Sequence, residues 1–129
     1  PAPPPAAAGR GGETVLVAED EDGVRDLVVA ILAHFGYQVL SARDGDEALR
    51  LADAHPGPIH LLLTDYAMPR MNGVALATTL RARRPGLKVL VTSGFAPEGR
   101  VMRDTWQVLD KPFAPEELGR RVRALLDEP

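Results

Sequence analysis

From Thr14 onward, short apolar runs alternate with longer segments in which apolar residues recur at helical spacing. The runs are Val15 to Ala18, Tyr37 to Leu40, Ile59 to Leu63, Val89 to Val91 and, faintest, Gln107 to Leu109. Their brevity and β-branched content predict five buried strands rather than helices. Strands alternating with helical segments are the pattern of repeated βα units on a parallel sheet. Between the first two runs, Val24, Leu27, Val28, Ile31, Leu32 and Phe35 form one stripe of a helix that ends at Gly36. A second helix is predicted from about Asp46 until just before Pro56. A third runs from about Gly73 until Arg81, Arg83 and Arg84 meet its negative end, before Pro85 and Gly86. The fourth, around Pro97 to Arg103, is short and contains Gly99, which costs about 1 kcal/mol against Ala inside a helix. The last opens with Pro115 at its first position and Glu116 and Glu117 in its first turn, with Leu118, Val122, Leu125 and Leu126 on one face. Its cap position holds Ala114, which has no side-chain acceptor and forgoes about 1 kcal/mol against Ser or Asp.

The residues ahead of this pattern change the organisation. Pro1 to Gly12 are almost all Pro, Ala and Gly, too little apolar surface to offset the entropy of ordering them. The expectation is a disordered linker over residues 1–12 and one globular domain over 13–129, since 129 residues support a single core of ordinary size. With 45% hydrophobic and 26% charged residues the chain is expected to fold and stay in solution. A net charge of -3 without a basic block argues against gripping a nucleic-acid backbone. The absence of cysteine excludes disulfides and thiolate chemistry. Without an apolar run of spanning length or a signal-peptide layout, the reading is cytoplasmic, with no direct membrane contact in this segment.

In an open parallel α/β sheet, ligands bind beyond the carboxyl ends of the strands. The first predicted strand runs into Glu19 and Asp20, the third into Asp65, the fourth into Ser93, and the fifth into Lys111 after Asp110. A lone Asp after a strand is usually a turn former or cap, and Ser93 before Gly94 or Lys111 before Pro112 reads alone as an ordinary loop residue. Together they put three carboxylates, a hydroxyl and an ammonium on one rim. Carboxylates crowded in this way raise one another's pKa unless a cation sits among them. Hard oxygen ligands select Mg²⁺, or Mn²⁺, over zinc. An aspartate facing such a metal can attack phosphorus while the metal and an ammonium neutralise the transferring group. Asp65 is the candidate nucleophile and Lys111 the clamp.

These residues resemble the receiver domains of two-component response regulators from about Thr14 to Leu126. The matching motifs are Val17-Ala18-Glu19-Asp20-Glu21, Leu62 to Gly73 around Asp65, Val91-Thr92-Ser93-Gly94 and Asp110-Lys111-Pro112-Phe113. The resemblance implies a flavodoxin-like, doubly wound fold of five βα units with strand order 2-1-3-4-5, and phosphorylation of Asp65 by a phosphohistidine donor. It further implies Mg²⁺ held by Asp20, Asp65 and the backbone carbonyl of Ala67, with Glu19 acting largely through water. Ser93 would move to hydrogen-bond the phosphoryl oxygens, Lys111 would pair with them, and the Lys111-Pro112 bond would be cis. The implied partners are a histidine kinase or a histidine phosphotransfer protein. The last residues lie directly after the final helix, and the Pro/Ala linker precedes the domain. The expectation is therefore output through a surface, from a stand-alone receiver or, preferred, the C-terminal receiver of a hybrid histidine kinase.

The sequence also departs from that pattern. Val108 stands three residues before the lysine, where many receivers carry a switching Tyr or Phe. Phe95 and Ala67 stand two residues after Ser93 and Asp65, where polar side chains in some relatives orient the hydrolytic water, so a persistent phosphoryl group is expected. Two other functions compete. An aspartate-nucleophile hydrolase would need a second acid where Ala67 stands, and a degenerate receiver that only binds a partner would need no crowded carboxylates. His34, His55 and His60 are too scattered for a metal cluster and read as surface or packing residues. Trp106 is either a partner anchor or partly buried against the last helix.

Overall fold

A computed structural model of the chain describes residues 12–94, 103 and 105–129. Five strands, β1 (Thr14–Ala18), β2 (Gln38–Ala42), β3 (Leu61–Asp65), β4 (Lys88–Ser93) and β5 (Gln107–Asp110), form one parallel sheet in the order 2-1-3-4-5. The expected fold class is thus found. Four helices are described: α1 (Asp22–His34), α2 (Gly45–Ala54), α3 (Gly73–Arg83) and α4 (Pro115–Asp127). The helix expected around Pro97 to Arg103 lies, apart from Arg103, outside the described residues, as do Phe95 and the linker up to Gly11.

The period-2 alternation of the strands divides the core into two layers. Leu16, Leu62, Val89, Val91 and Val108 point to the side covered by α2 and α3, with Ala48, Ala52, Leu76 and Leu80. Val15, Val17, Leu61, Leu63, Leu90 and Leu109 point to the other side, where Leu32, Leu118 and Val122 of α1 and α4 pack. β1 and β3 are buried along their whole length, whereas β2 and β5 are edge strands with exposed positions. Both layers are needed because a parallel sheet has no face that can be left to water.

Two expectations about packing change. Leu27 belongs to the α1 stripe by its spacing, yet it is 56% exposed, while Val28, Ile31 and Leu32 are buried. At 3.6 residues per turn it lies about 80° from the stripe's centre, and there the helix has turned away from the sheet. Trp106 is half-buried, but on the α2/α3 side rather than against the last helix, with the Arg81 guanidinium 5.0 Å from its ring centroid. The register explains this: Val108 faces that layer, and Trp106, two residues earlier, follows the same face.

The helix ends follow local chemistry. Asp44 caps α2 by accepting from the Glu47 amide at 2.8 Å, and Asn72 caps α3 by accepting from the Ala75 amide at 2.8 Å. α4 starts at Pro115 without a side-chain cap, as Ala114 dictates. Gly36 takes a φ of 96°, the left-handed conformation that stops α1. At the amino-terminal end of the sheet, the Arg123 guanidinium of α4 bonds Glu13 Oε2 at 2.8 Å and Asp127 Oδ1 at 2.9 Å and covers the Tyr37 ring. That clasp joins the start of β1 to the end of α4.

Candidate functional site

The site is built where β1, β3, β4 and β5 release their chains at one rim. Glu19 follows β1 and is only 3% exposed, with its own amide donating to the Ala42 carbonyl at the end of β2. Its carboxylate is fixed from two sides. Oε2 accepts from the Glu21 amide at 3.1 Å, and Oε1 accepts from Lys111 Nζ at 3.0 Å. Arg25, one turn into α1, donates to the Glu19 carbonyl at 2.9 Å and holds the bend between strand and helix. Asp65 closes β3 at 7% exposure, and its Oδ1 lies 3.3 Å from Lys111 Nζ. Lys111 is delivered by β5, its amide bonding the Ser93 carbonyl at 2.8 Å, and the Lys111-Pro112 peptide is cis as expected. Asp20 is exposed beside them. Carboxylate oxygens of Glu19, Asp20 and Asp65 come within 4.8 Å of one another.

The electrostatics carry the mark of crowding. Burial pushes the Asp65 carboxyl up, the charges of Glu19 and Asp20 push further, and Lys111 offsets only part, leaving its pKa at about 6. Burial alone would lower the Lys111 ammonium. The Glu19 hydrogen bond and the charges of Asp65 and Glu19 outweigh it and hold the ammonium above its ordinary value. Lys111 is therefore a fixed positive charge facing an aspartate that ionises reluctantly. A second cation in the same ring of oxygens would relieve what one ammonium leaves uncompensated. Three carboxylates with hard oxygen donors fit Mg²⁺ or Mn²⁺, and no other group of His, Cys, Asp or Glu with ligand spacing occurs among the described residues.

The sequence-predicted residues are thus largely brought together. Glu19, Asp20, Asp65 and Lys111 meet. Ser93 ends β4 on the same rim, buried, with its hydroxyl donating to the Gly94 carbonyl at 2.9 Å, so it is engaged by its own loop. Ala67 lies in the loop after β3, and Val108 is buried in β5. The histidines stay apart: His34 packs edge-on against Phe35, His55 ends α2, and His60 Nδ1 accepts from the Thr14 amide at 2.9 Å.

The loop after β3 holds features that the sequence reading passed over. Its base is closed by the Gly73 amide donating to the Tyr66 carbonyl at 2.8 Å, and a Cβ on Gly73 would collide with the Asp65 carbonyl oxygen. The first residue of α3 therefore has to be glycine for the end of β3 to pass so near. At the tip, Arg70 has a φ of 68°, a left-handed conformation that costs a non-glycine residue about 1–2 kcal/mol. It pairs with Asp44 at 2.8 Å and Asp46 at 3.7 Å. The legible signal was Asp44 followed three residues later by Glu47, a helix-start pattern that marks Asp44 as a fixed carboxylate.

Comparison with known proteins agrees with this geometry. The sequence profile described as the response regulator receiver domain matches residues 15–123. The chain is 34% identical to the sensor kinase CckA of Brucella abortus over 92% of this chain and 13% of that protein. It is also 34% identical to the response regulator receiver protein CpdR of the same organism, over 87% of this chain and 95% of that one. The chain thus spans a small part of one relative and nearly the whole of the other. Among solved structures, the receiver domain of the hybrid histidine kinase CckA superposes with a TM-score of 0.75 at 33% identity, covering 88% of this chain and 99% of that one. The response regulator TrrA of Thermotoga maritima, solved in complex with Mg²⁺-BeF, superposes with a TM-score of 0.77 at 25% identity over 88% and 99%. A matched profile over most of the chain, a parallel sheet in 2-1-3-4-5 order and an acidic rim with a lysine across it agree, and the chain belongs to the response regulator receiver domains of two-component signalling.

Proposed function

We propose that the domain accepts a phosphoryl group on Asp65 from a phosphohistidine and, once modified, presents an altered surface to a partner. The observation that carries this is the ring of Glu19, Asp20 and Asp65 carboxylates with Lys111 Nζ bridging two of them. Asp20, Asp65 and the Ala67 carbonyl would hold Mg²⁺, with Glu19 beside them. Bound there, the ion would neutralise phosphoryl oxygens and hold the acceptor ionised below the pH that its crowding otherwise demands.

The remaining steps belong to the chain's own residues. An Asp65 carboxylate oxygen attacks phosphorus, the phosphorus–nitrogen bond of the donor breaks, and its electron pair returns to the imidazole nitrogen. Lys111, 3.3 Å from Asp65 Oδ1, then follows the negative charge to the phosphoryl oxygens. Ser93 exchanges the Gly94 carbonyl for a phosphoryl oxygen as acceptor of its hydroxyl. The new charge biases the surface around β5. The buried Val108 leaves that readout without an aromatic side chain at the strand's centre.

The donor would be a histidine kinase or a histidine phosphotransfer protein, and the compartment the cytoplasm. We place the chain in a hybrid histidine kinase, a setting supported by its likeness to the CckA receiver. CpdR, matched over 95% of its length, supports the alternative of a single-domain receiver. A kinase core encoded upstream of Pro1 decides between them. A hydrolase reading is disfavoured by Ala67, which leaves no second acid two residues after the nucleophile. The site assignment is tested by incubation with a small-molecule phosphodonor and Mg²⁺. Hydroxylamine-sensitive labelling is expected in the wild type and absent in Asp65→Asn, and labelling that survives the substitution would sink the assignment.

A further inference from the structure

We propose that Arg70 is a positioning residue for the Mg²⁺ site, acting through the loop that carries the Ala67 carbonyl; this rests on the metal reading above. The loop from Tyr66 to Gly73 is held at two places. Its base is pinned to the sheet by the Tyr66 amide on the Thr92 carbonyl at 2.9 Å and closed by the Gly73 amide on the Tyr66 carbonyl. Its tip is a three-residue turn, with the Met71 amide donating to the Pro69 carbonyl at 2.7 Å and Arg70 at the centre with a φ of 68°. A turn of that sense is strained for any residue with a side chain, and it persists only where its surroundings over-determine it.

Here the surroundings are the first turn of α2. Arg70 Nη2 donates to Asp44 Oδ2 at 2.8 Å, and its Nε lies 3.7 Å from Asp46 Oδ2. Asp44 is itself immobilised by capping α2. The neighbouring Met71 packs its thioether against Gly45, where a Cβ would not fit. The ion pairs thus hold a disfavoured backbone against a rigid helix start, and Ala67 lies on the segment strung between this tip and the pinned base. If the pairs are lost, the turn relaxes toward an ordinary φ and the Ala67 carbonyl is no longer held for the metal.

The sign of the effect separates this from plain electrostatics. Arg70 is a cation, so removing it makes the acidic rim more negative, and charge alone predicts tighter Mg²⁺ binding. Positioning predicts weaker binding. The test is an MgCl2 titration of ¹⁵N-labelled protein, followed by NMR at the Tyr66 and Ala67 amides. Arg70→Ala should weaken Mg²⁺ about five- to twentyfold, the ratio that releasing one strained residue implies. Arg70→Lys, which keeps a cation within reach of Asp44, should recover most of the loss. Arg70→Gly, which accepts the φ without strain but has no ion pair, should fall between the wild type and Arg70→Ala. Unchanged or tighter binding by Arg70→Ala overturns the proposal, as does an Arg70→Lys variant that binds Mg²⁺ no better than Arg70→Ala. A wild type without saturable Mg²⁺ binding, or an Asp65→Asn variant that binds as tightly, overturns the metal reading and this inference with it. Wild-type binding that Asp65→Asn abolishes and Arg70→Ala leaves intact overturns the role of Arg70 alone.

Discussion

Asp65→Asn should make the metal-free domain more stable while destroying its chemistry. The Asp65 carboxyl is pushed up to about 6 from 3.8 by burial and by Glu19, against the pull of Lys111. Because its folded-state pKa lies above the unfolded one, the folded state holds the proton more tightly. The ionised group therefore costs stability: not below about pH 4, increasingly between pH 4 and 6, and in full above pH 6. At about 1.4 kcal/mol per pH unit the shift is worth at most about 3 kcal/mol, and screening at a rim open to water reduces this to about 1–2 kcal/mol. Asn keeps the shape and removes the charge. Urea unfolding in EDTA at pH 7.5 should show the variant about 1–2 kcal/mol more stable, roughly 4–8 °C in Tm. The difference should shrink toward pH 4, and 10 mM MgCl2 should stabilise the wild type but not the variant. A variant less stable than the wild type at pH 7.5 in EDTA, or a pH dependence unchanged by the substitution, would refute the crowding argument.

Lys111→Gln, by contrast, should destabilise the metal-free domain by about 2–3 kcal/mol, since Glu19 is left buried without its cation, and Mg²⁺ should recover part of the loss; urea midpoints with and without the ion measure both. Leu80→Ala should cost about 3 kcal/mol by opening a cavity between α3 and the sheet, with no direct effect on the rim; chemical unfolding followed by circular dichroism checks it. The phosphoryl group on Asp65 should outlast minutes with Mg²⁺ present, because Ala67 and Phe95 offer no polar side chain to orient water. Loss of the label within seconds would contradict that reading.

The strand pattern was legible because a parallel sheet buried on both faces writes itself as short apolar runs. Even the faint run at Gln107 is a strand, since Val108 and Leu109 face opposite layers. The rim followed from where those runs end, and Glu19, Asp20, Asp65 and Lys111 stand where the sequence put them. Two packing details were not legible. Periodicity counts Leu27 as part of a stripe, but how far a sheet wraps around a helix is a tertiary fact, and the sheet does not reach it. Trp106 could have leaned either way until the β5 register was known. Arg70 escaped because nothing in Met68-Pro69-Arg70-Met71 announces a left-handed arginine. Its conformation is imposed by Asp44 and Asp46, more than twenty residues earlier in the chain.

The Arg123 clasp ties Glu13 to Asp127, so the backbone comes into the domain and goes out of it at one corner, at the foot of the sheet. The acidic ring sits at the opposite rim, with the five residues of β1, about 16 Å, between. A unit wired this way can be plugged into a longer polypeptide as a pendant. Whatever is fused to either end would hang from the foot and leave the acidic rim clear. Such a pendant suits both settings in which the chain finds relatives, one matched over 13% of its length and one over 95%.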